Sequence, residues 1–174
     1  MTVLKLYTYP APVLKKKAEK VSKVDDEIRQ LLDDMLQTMY ADAGVGLAAP
    51  QVGISKRIVV IDVNQEEGND GSVNGEPLFL VNPEIIWRSD EMVCGEEGCL
   101  SVPGQRAEVE RHARVRVHYL DYNGKEQEIL GEGLLAVCLQ HELDHLDGIL
   151  YIDRISRLKR QMVVKKLQKV KNGE

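Results

Sequence analysis

Ile28, Leu31, Leu32, Met35, Leu36, Met39 and Tyr40 recur at the three- and one-residue steps that keep side chains on one helical face. Asp25 and Asp26 precede them, where a helix start favours negative charge. The pattern predicts an amphipathic helix that stops at Gly44. The next run, GVGLAAPQVG from Gly44 to Gly53, is too rich in glycine and proline for a regular element and predicts a tight loop. Arg57–Val63 and Leu78–Asn82 are short apolar or β-branched runs bounded by turn residues, the pattern of buried strands. Between them, Asn64–Glu76 is acidic and glycine-rich and reads as a surface loop. From Ala113 to Leu120 the alternation is clean, with Ala113, Val115, Val117 and Tyr119 on one side and Arg114, Arg116 and His118 on the other. Asp121–Gly124 (DYNG) then predicts a hairpin turn. A second helix is expected over about Glu132–Asp147, apolar at Leu134, Leu135, Val137, Cys138, Leu139 and Leu146, with Gly148 placed to end it. A third is expected over 156–170, with Leu158, Met162, Val163, Leu167 and Val170 as its apolar stripe and lysines opposite. Helix, several strands, helix, helix implies an α+β fold rather than alternating βαβ units.

A chain of 174 residues, 43% of them apolar, is long enough for one domain spanning 1–174 with a core that needs no disulfide. The 23 basic and 28 acidic residues leave a net charge of −5, which argues against DNA or general nucleic-acid binding through the body of the protein. That sum hides an asymmetry. Arg154–Glu174 holds eight basic residues and one acid, so the C-terminal segment is a candidate for a partner of its own. Three cysteines, Cys94, Cys99 and Cys138, without an apolar leader or an arginine-rich presequence, point to a reducing bacterial cytoplasm and to thiols serving as core residues or metal ligands. No stretch approaches the roughly 18 apolar residues that cross a bilayer, so no membrane partner is expected.

The sharpest local signal is His141-Glu142-Leu143-Asp144-His145, an HExxH sequence inside the second predicted helix. Two histidines four residues apart rise about 6 Å along one face, so both imidazoles can reach one ion. Glu142 sits about 100° round from His141, near enough to handle a proton of metal-bound water without being a ligand. A solvent-facing helix that happens to carry two histidines is the bland alternative, and it fits poorly, because both share their face with Leu134 and Cys138. A catalytic metal needs a third ligand. Cys138 lies about 10 Å along the axis from His145, too far to share a tetrahedral ion with it, and reads as a pocket wall. Cys99, flanked by Gly98, is the better choice, and spacing alone leaves Cys94 open.

Three motifs, GVGLAAPQ at Gly44–Gln51, EGCLS at Glu97–Ser101 and HELDHLDG at His141–Gly148, together resemble the signatures of the peptide deformylase family, and the similarity runs from Leu4 into the C-terminal helix. The resemblance implies small mixed or antiparallel sheets packed around a central HExxH helix, with an N-terminal and a C-terminal helix. It implies removal of the formyl group from the formyl-methionine of nascent peptides. Carried over position by position, Cys99, His141 and His145 match the metal ligands, Glu142 the general acid and base, and Gln51 and the Leu100 N–H the oxyanion donors. Gly44 belongs to the first motif, Gly46 matches its second glycine and would pair with the substrate backbone, and Gly98 stands opposite. Val45, Leu134, Val137 and Cys138 resemble the lining of the methionine pocket, and Arg106 an arginine at its edge.

One thiolate and two imidazoles suit Zn²⁺, Fe²⁺, Co²⁺ or Ni²⁺. The resemblance implies one ion per chain, Fe²⁺ in the cell, with Zn²⁺, Ni²⁺ or Co²⁺ in purified protein. Arg111 and Asp144 are expected to pair and steady the catalytic helix. An HExxH endopeptidase and a non-catalytic metal- or ribosome-binding protein are the competing readings. The close-set Gly44–Gln51 loop favours a substrate terminus over an internal bond. For the basic third helix, a solvated lysine face over a packed stripe competes with docking on the ribosome near its exit tunnel.

Overall fold

The N-terminal periodicity is realised as α1 (Asp26–Ala41), whose first turn is capped by the Asp25 carboxylate accepting the Ile28 N–H at 3.0 Å. The computed structural model describes residues 2–173, so Met1 and Glu174, the ends of the expected 1–174 unit, lie outside the described residues. After α1 come β1 (Gly46–Ala48), β2 (Ile58–Ile61), β3 (Glu66–Glu67), β4 (Val73–Asn74), β5 (Leu78–Arg88), β6 (Met92–Cys99), β7 (Val102–His112), β8 (Arg114–Leu120), β9 (Glu126–Glu132), α2 (Gly133–Leu146) and α3 (Arg157–Lys171).

A five-stranded antiparallel sheet runs in the order β1-β2-β5-β8-β9, and β3-β4 and β6-β7 form separate ribbons. Strand β2 is buried on both sides and shows how the layers divide. Val59 and Ile61 pack with Leu80, Val115 and Val117 against Ala136, Leu139, Leu143 and Leu146 of α2. The alternate residues Ile58 and Val60 pack with Val81 against Ile28, Leu32, Met35 and Met39 of α1. At roughly 1.5–3 kcal/mol for each fully buried aliphatic side chain, these two interfaces dominate the stability. A third cluster, built on Val102, Val109, Leu150, Tyr151, Ile152 and Val163, joins the β6-β7 ribbon to α3.

The structure corrects four expectations. The loop expected over Gly44–Gly53 instead holds strand β1 and a 3-10 turn over Ala49–Val52, because Leu47 and Ala48 are fully buried and β1 pairs with β2 in the register Gly46↔Ile61 and Ala48↔Val59. The acidic loop folds back on itself as the two-residue ladder β3-β4. The strand expected over Leu78–Asn82 continues to Arg88 past an irregularity between Val81 and Glu84, where Asn82 takes a φ of 51°. Asn82 is held there by two hydrogen bonds of 2.8 Å with the Val21 backbone. The apolar stripe of α3 is only partly packed: Val163 is buried, but Leu158, Met162 and Val170 are exposed. The turn at Asp121–Gly124 forms, closed by Lys125 O accepting the Asp121 N–H at 2.9 Å. Among the described residues no helix is long and apolar enough to cross a membrane.

Candidate active site and metal centre

Helix α2 crosses beneath the β6-β7 ribbon and brings its HExxH turn to the end of β6, which places Cys99 against His141 and His145. The Cys99 Sγ and one nitrogen of each imidazole lie within 4.8 Å of one another. Cys99 Sγ and His145 Nε2 are 3.4 Å apart. A tetrahedral ion bonded to a thiolate and an imidazole holds those atoms roughly 3.6 Å apart, so the donor set fits a divalent metal. Cys94, the alternative thiol, is exposed on the outer part of β6 and does not join this cluster.

Glu142 is buried and points at the same centre, its Oε1 3.9 Å from the Nε2 of both His141 and His145. Burial pushes its carboxyl up to about 7. Its Oε2 is buried without a hydrogen-bond partner, the condition expected of a group that faces an ion's solvent; the His145 Nδ1, on the side of the ring away from the cluster, is likewise unpartnered among the described residues. Burial likewise drives His145 toward its neutral, ligating form.

Behind the ligands lies a polar network of which the sequence indicated one pair. Arg111 donates to Asp144 at 2.7 Å and, through two nitrogens, to both Glu97 oxygens at 2.9 Å. Glu97 also bonds His141 Nδ1 at 2.8 Å, which leaves Nε2 of that ring for a metal. Burial works against the Glu97 charge, but the hydrogen bonds from Arg111 and His141 hold its carboxyl at about 2. Arg154 adds a bidentate contact to Asp144 at 2.7 and 3.0 Å, and the Tyr151 ring stacks on His141 with centroids 6.0 Å apart. Glu97, Tyr151 and Arg154 were not marked by the sequence reading. For Glu97 the signal was present, as an acid two residues before the cysteine.

A cavity of about 620 Å³ opens onto this centre, lined by Gly44, Val45, Gly46, Gln51, Gly98, Cys99, Leu100, Arg106, Leu134, Val137, Cys138, His141 and Glu142. His145 lies behind them, 1% exposed. The candidate ligands, oxyanion donors and pocket residues that the resemblance implied therefore lie at or beside one cavity, whereas Cys94, Arg111 and Asp144 do not line it. Gln51 is anchored at both ends of its amide, accepting the Ala48 N–H at 3.0 Å and donating to Ser101 Oγ at 3.1 Å and toward Cys99 Sγ at 3.6 Å. Ser101 in turn donates to the Tyr7 carbonyl at 2.8 Å. Arg106 pairs with Glu96 at 2.9 Å on the exposed rim. Gly46 has no room for a side chain, since a β-carbon there would stand 2.9 Å from the Glu142 carboxyl.

A family model described as polypeptide deformylase matches residues 3–161. A peptide deformylase of Phenylobacterium zucineum is 51% identical over 169 residues, covering 97% of each chain. One from Maricaulis maris is 49% identical over the whole of this chain and 97% of its own. The crystal structure of peptide deformylase from Ehrlichia chaffeensis superposes with a TM-score of 0.91 at 45% identity, covering 99% of this chain and 98% of that one. A structure of peptide deformylase from the same organism in complex with actinonin gives 0.88 at 46% identity, covering 97% and 98%. With the motifs, the fold and the clustered ligands in agreement, this chain belongs to the polypeptide deformylase family.

Proposed function

We propose that the protein is a metal-dependent hydrolase that removes the formyl group from the N-terminal formyl-methionine of nascent polypeptides and releases formate. The observation that carries this reading is the buried Glu142 carboxyl, equidistant from two imidazoles of a Cys-His-His cluster and facing a cavity. Cys99, His141 and His145 would hold one divalent ion, Fe²⁺ in the cell and Zn²⁺, Ni²⁺ or Co²⁺ in some preparations. When bound, the ion supplies Lewis acidity, which brings the pKa of water toward neutrality.

The chain's own residues do the rest. β1 is an edge strand, paired with β2 on one side only, and Gly46 on it lines the cavity. A substrate backbone lies along that edge as an added strand, with Gly98 opposite. Its first side chain enters between Val45, Leu134, Val137 and Cys138, with Arg106 at the rim. Gln51 Nε2 and the Leu100 N–H donate to the formyl oxygen as it gains charge, a contribution of about 3–4 kcal/mol per donor. Glu142 takes a proton from the attacking water and delivers it to the departing amine. Its carboxyl, raised to about 7, suits both transfers near neutral pH.

Glu142→Ala is expected to retain stoichiometric metal by elemental analysis and to lose roughly 10²–10⁴ in formate release from a formyl-Met peptide. Near-full turnover would overturn the role. Cleavage of internal peptide bonds would instead favour an endopeptidase, and bound metal without formate release a non-catalytic protein.

For α3, the exposed Leu158, Met162 and Val170 beside a lysine-rich face favour docking on the ribosome in a bacterial cytoplasm over a fully packed stripe. Reversing Lys165 and Lys166 to Glu should abolish ribosome co-sedimentation at low salt. Undiminished co-sedimentation would remove the idea.

A further inference from the structure

A second cavity, of about 610 Å³, adjoins the first and shares Glu96, Glu97, Leu134 and Val137 with it. The segment of β6 that walls this second space runs from Val93 to Glu97, and Gly95 is its one residue without a side chain. In the β6-β7 ladder Gly95 pairs with Val109, flanked at two-residue steps by Val93 opposite Arg111 and Glu97 opposite Ala107. Residues two apart on a strand share a face, and Glu97 and Arg111 face α2 through His141 and Asp144. Gly95 therefore looks onto the gap between β6 and the first turn of α2. A β-carbon built at Gly95 would meet nothing within 4 Å, and its backbone is not left-handed, so neither sterics nor strain requires glycine at this position.

We propose that Gly95 is a specificity-determining residue that leaves the first side-chain pocket open-ended, so that the enzyme takes linear apolar side chains longer than methionine through the passage between Leu134, Val137 and the strand. This rests on the deformylase reading above and deepens it. Of the partition between the two spaces, Leu134 and Val137 are apolar, and the charges of Glu97 and Glu96 are taken up by Arg111 and Arg106. Beyond it Val93 and Val109 add apolar surface, and Glu91, Arg114 and Glu132 are exposed at the outer side, so a hydrocarbon chain fits along the inner wall. Each methylene carried from water into such a passage favours binding by about fourfold. A β-branched side chain at Gly95 would project into the gap and end the pocket at about the depth of methionine.

The test compares kcat/KM for formyl-Met and formyl-2-aminodecanoyl versions of one dipeptide, on metal-loaded protein, in the wild type and in Gly95→Val. The wild type is expected to turn over the long-chain substrate at least as well as the methionyl one. Gly95→Val should lower the long-chain-to-methionine ratio at least tenfold, chiefly through KM. Gly95→Ala, whose methyl has free space around it, should lower the ratio by about threefold and carries the test if the valine variant does not fold. A wild type that rejects the long chain, or a ratio that neither variant moves, would overturn the proposal while leaving deformylation intact. Absence of formate from the formyl-Met dipeptide itself would instead overturn the function on which it rests.

Discussion

Gly46 and Glu142 are in such close approach that a β-carbon on the first would stand 2.9 Å from the carboxyl of the second. The glycine of the edge strand thus sets where the Glu142 carboxyl, the proposed proton carrier, can sit. Gly46→Ala should push the Glu142 carboxyl away from the two imidazoles. A displacement of about 1 Å in a catalytic group costs on the order of 10²-fold in rate. Formate release should fall by about that factor while the circular dichroism spectrum and metal content are unchanged. Wild-type kcat/KM in a folded Gly46→Ala protein would refute the coupling.

Arg111 neutralises two buried acids, Glu97 and Asp144, at 2.7–2.9 Å. Arg111→Leu takes the shared guanidinium from both, leaving Asp144 to Arg154 and Glu97 to His141 alone, and removing one member of a buried ion pair costs about 3–5 kcal/mol. The expected outcome is a melting temperature lower by about 10 °C, on the scale of a few degrees per kcal/mol for a domain of this size. A double substitution, Arg111→Leu with Glu97→Gln, should recover part of the loss.

Thiol reactivity should separate the three cysteines. Cys94 is exposed, whereas burial, reinforced by Glu142 and Glu97, pushes the Cys138 thiol up to about 12. A thiol reacts as its thiolate, so at pH 8 iodoacetamide should label Cys94 and leave Cys138 untouched. Cys99 should be protected in metal-loaded protein and become labelled after chelation. Peptide mapping by mass spectrometry reads all three, and labelling of Cys99 independent of metal would contradict its place as a ligand.

Asn82 combines a φ of 51° with two hydrogen bonds to the Val21 backbone. Asn82→Ala removes both bonds and places a residue less tolerant of that conformation, a loss of about 2–3 kcal/mol by urea denaturation. Activity of the folded fraction should be retained, because Asn82 does not line the catalytic cavity.

What could be read without coordinates follows the strength of each local pattern. The first helix, the alternation of Arg114–Leu120 and the HExxH turn each carry a periodicity that burial enforces, and each forms, although the helix stops at Ala41 and not at the expected Gly44. The β6-β7 ribbon was not anticipated. Met92–Cys99 and Val102–His112 contain three glycines, a proline and four acids, with no apolar alternation, and the ribbon owes its order to the ladder between its strands and to the Arg111 network. Leu134 belongs to the apolar pattern of α2 but is 56% exposed, because it rims the cavity, where the resemblance placed it, instead of filling the core. Glu97 and Arg154 acquire their meaning only when β6, α2 and the segment before α3 converge.

That convergence has a consequence for how the enzyme acquires its ion. Asp144 gathers Arg111 from the ribbon and Arg154 from beyond the helix within one residue of His145, so the segments bearing sulfur and nitrogen are clamped together by the polypeptide itself. Loading would then fill a prebuilt socket, and a stripped sample should accept a different cation without first having to refold.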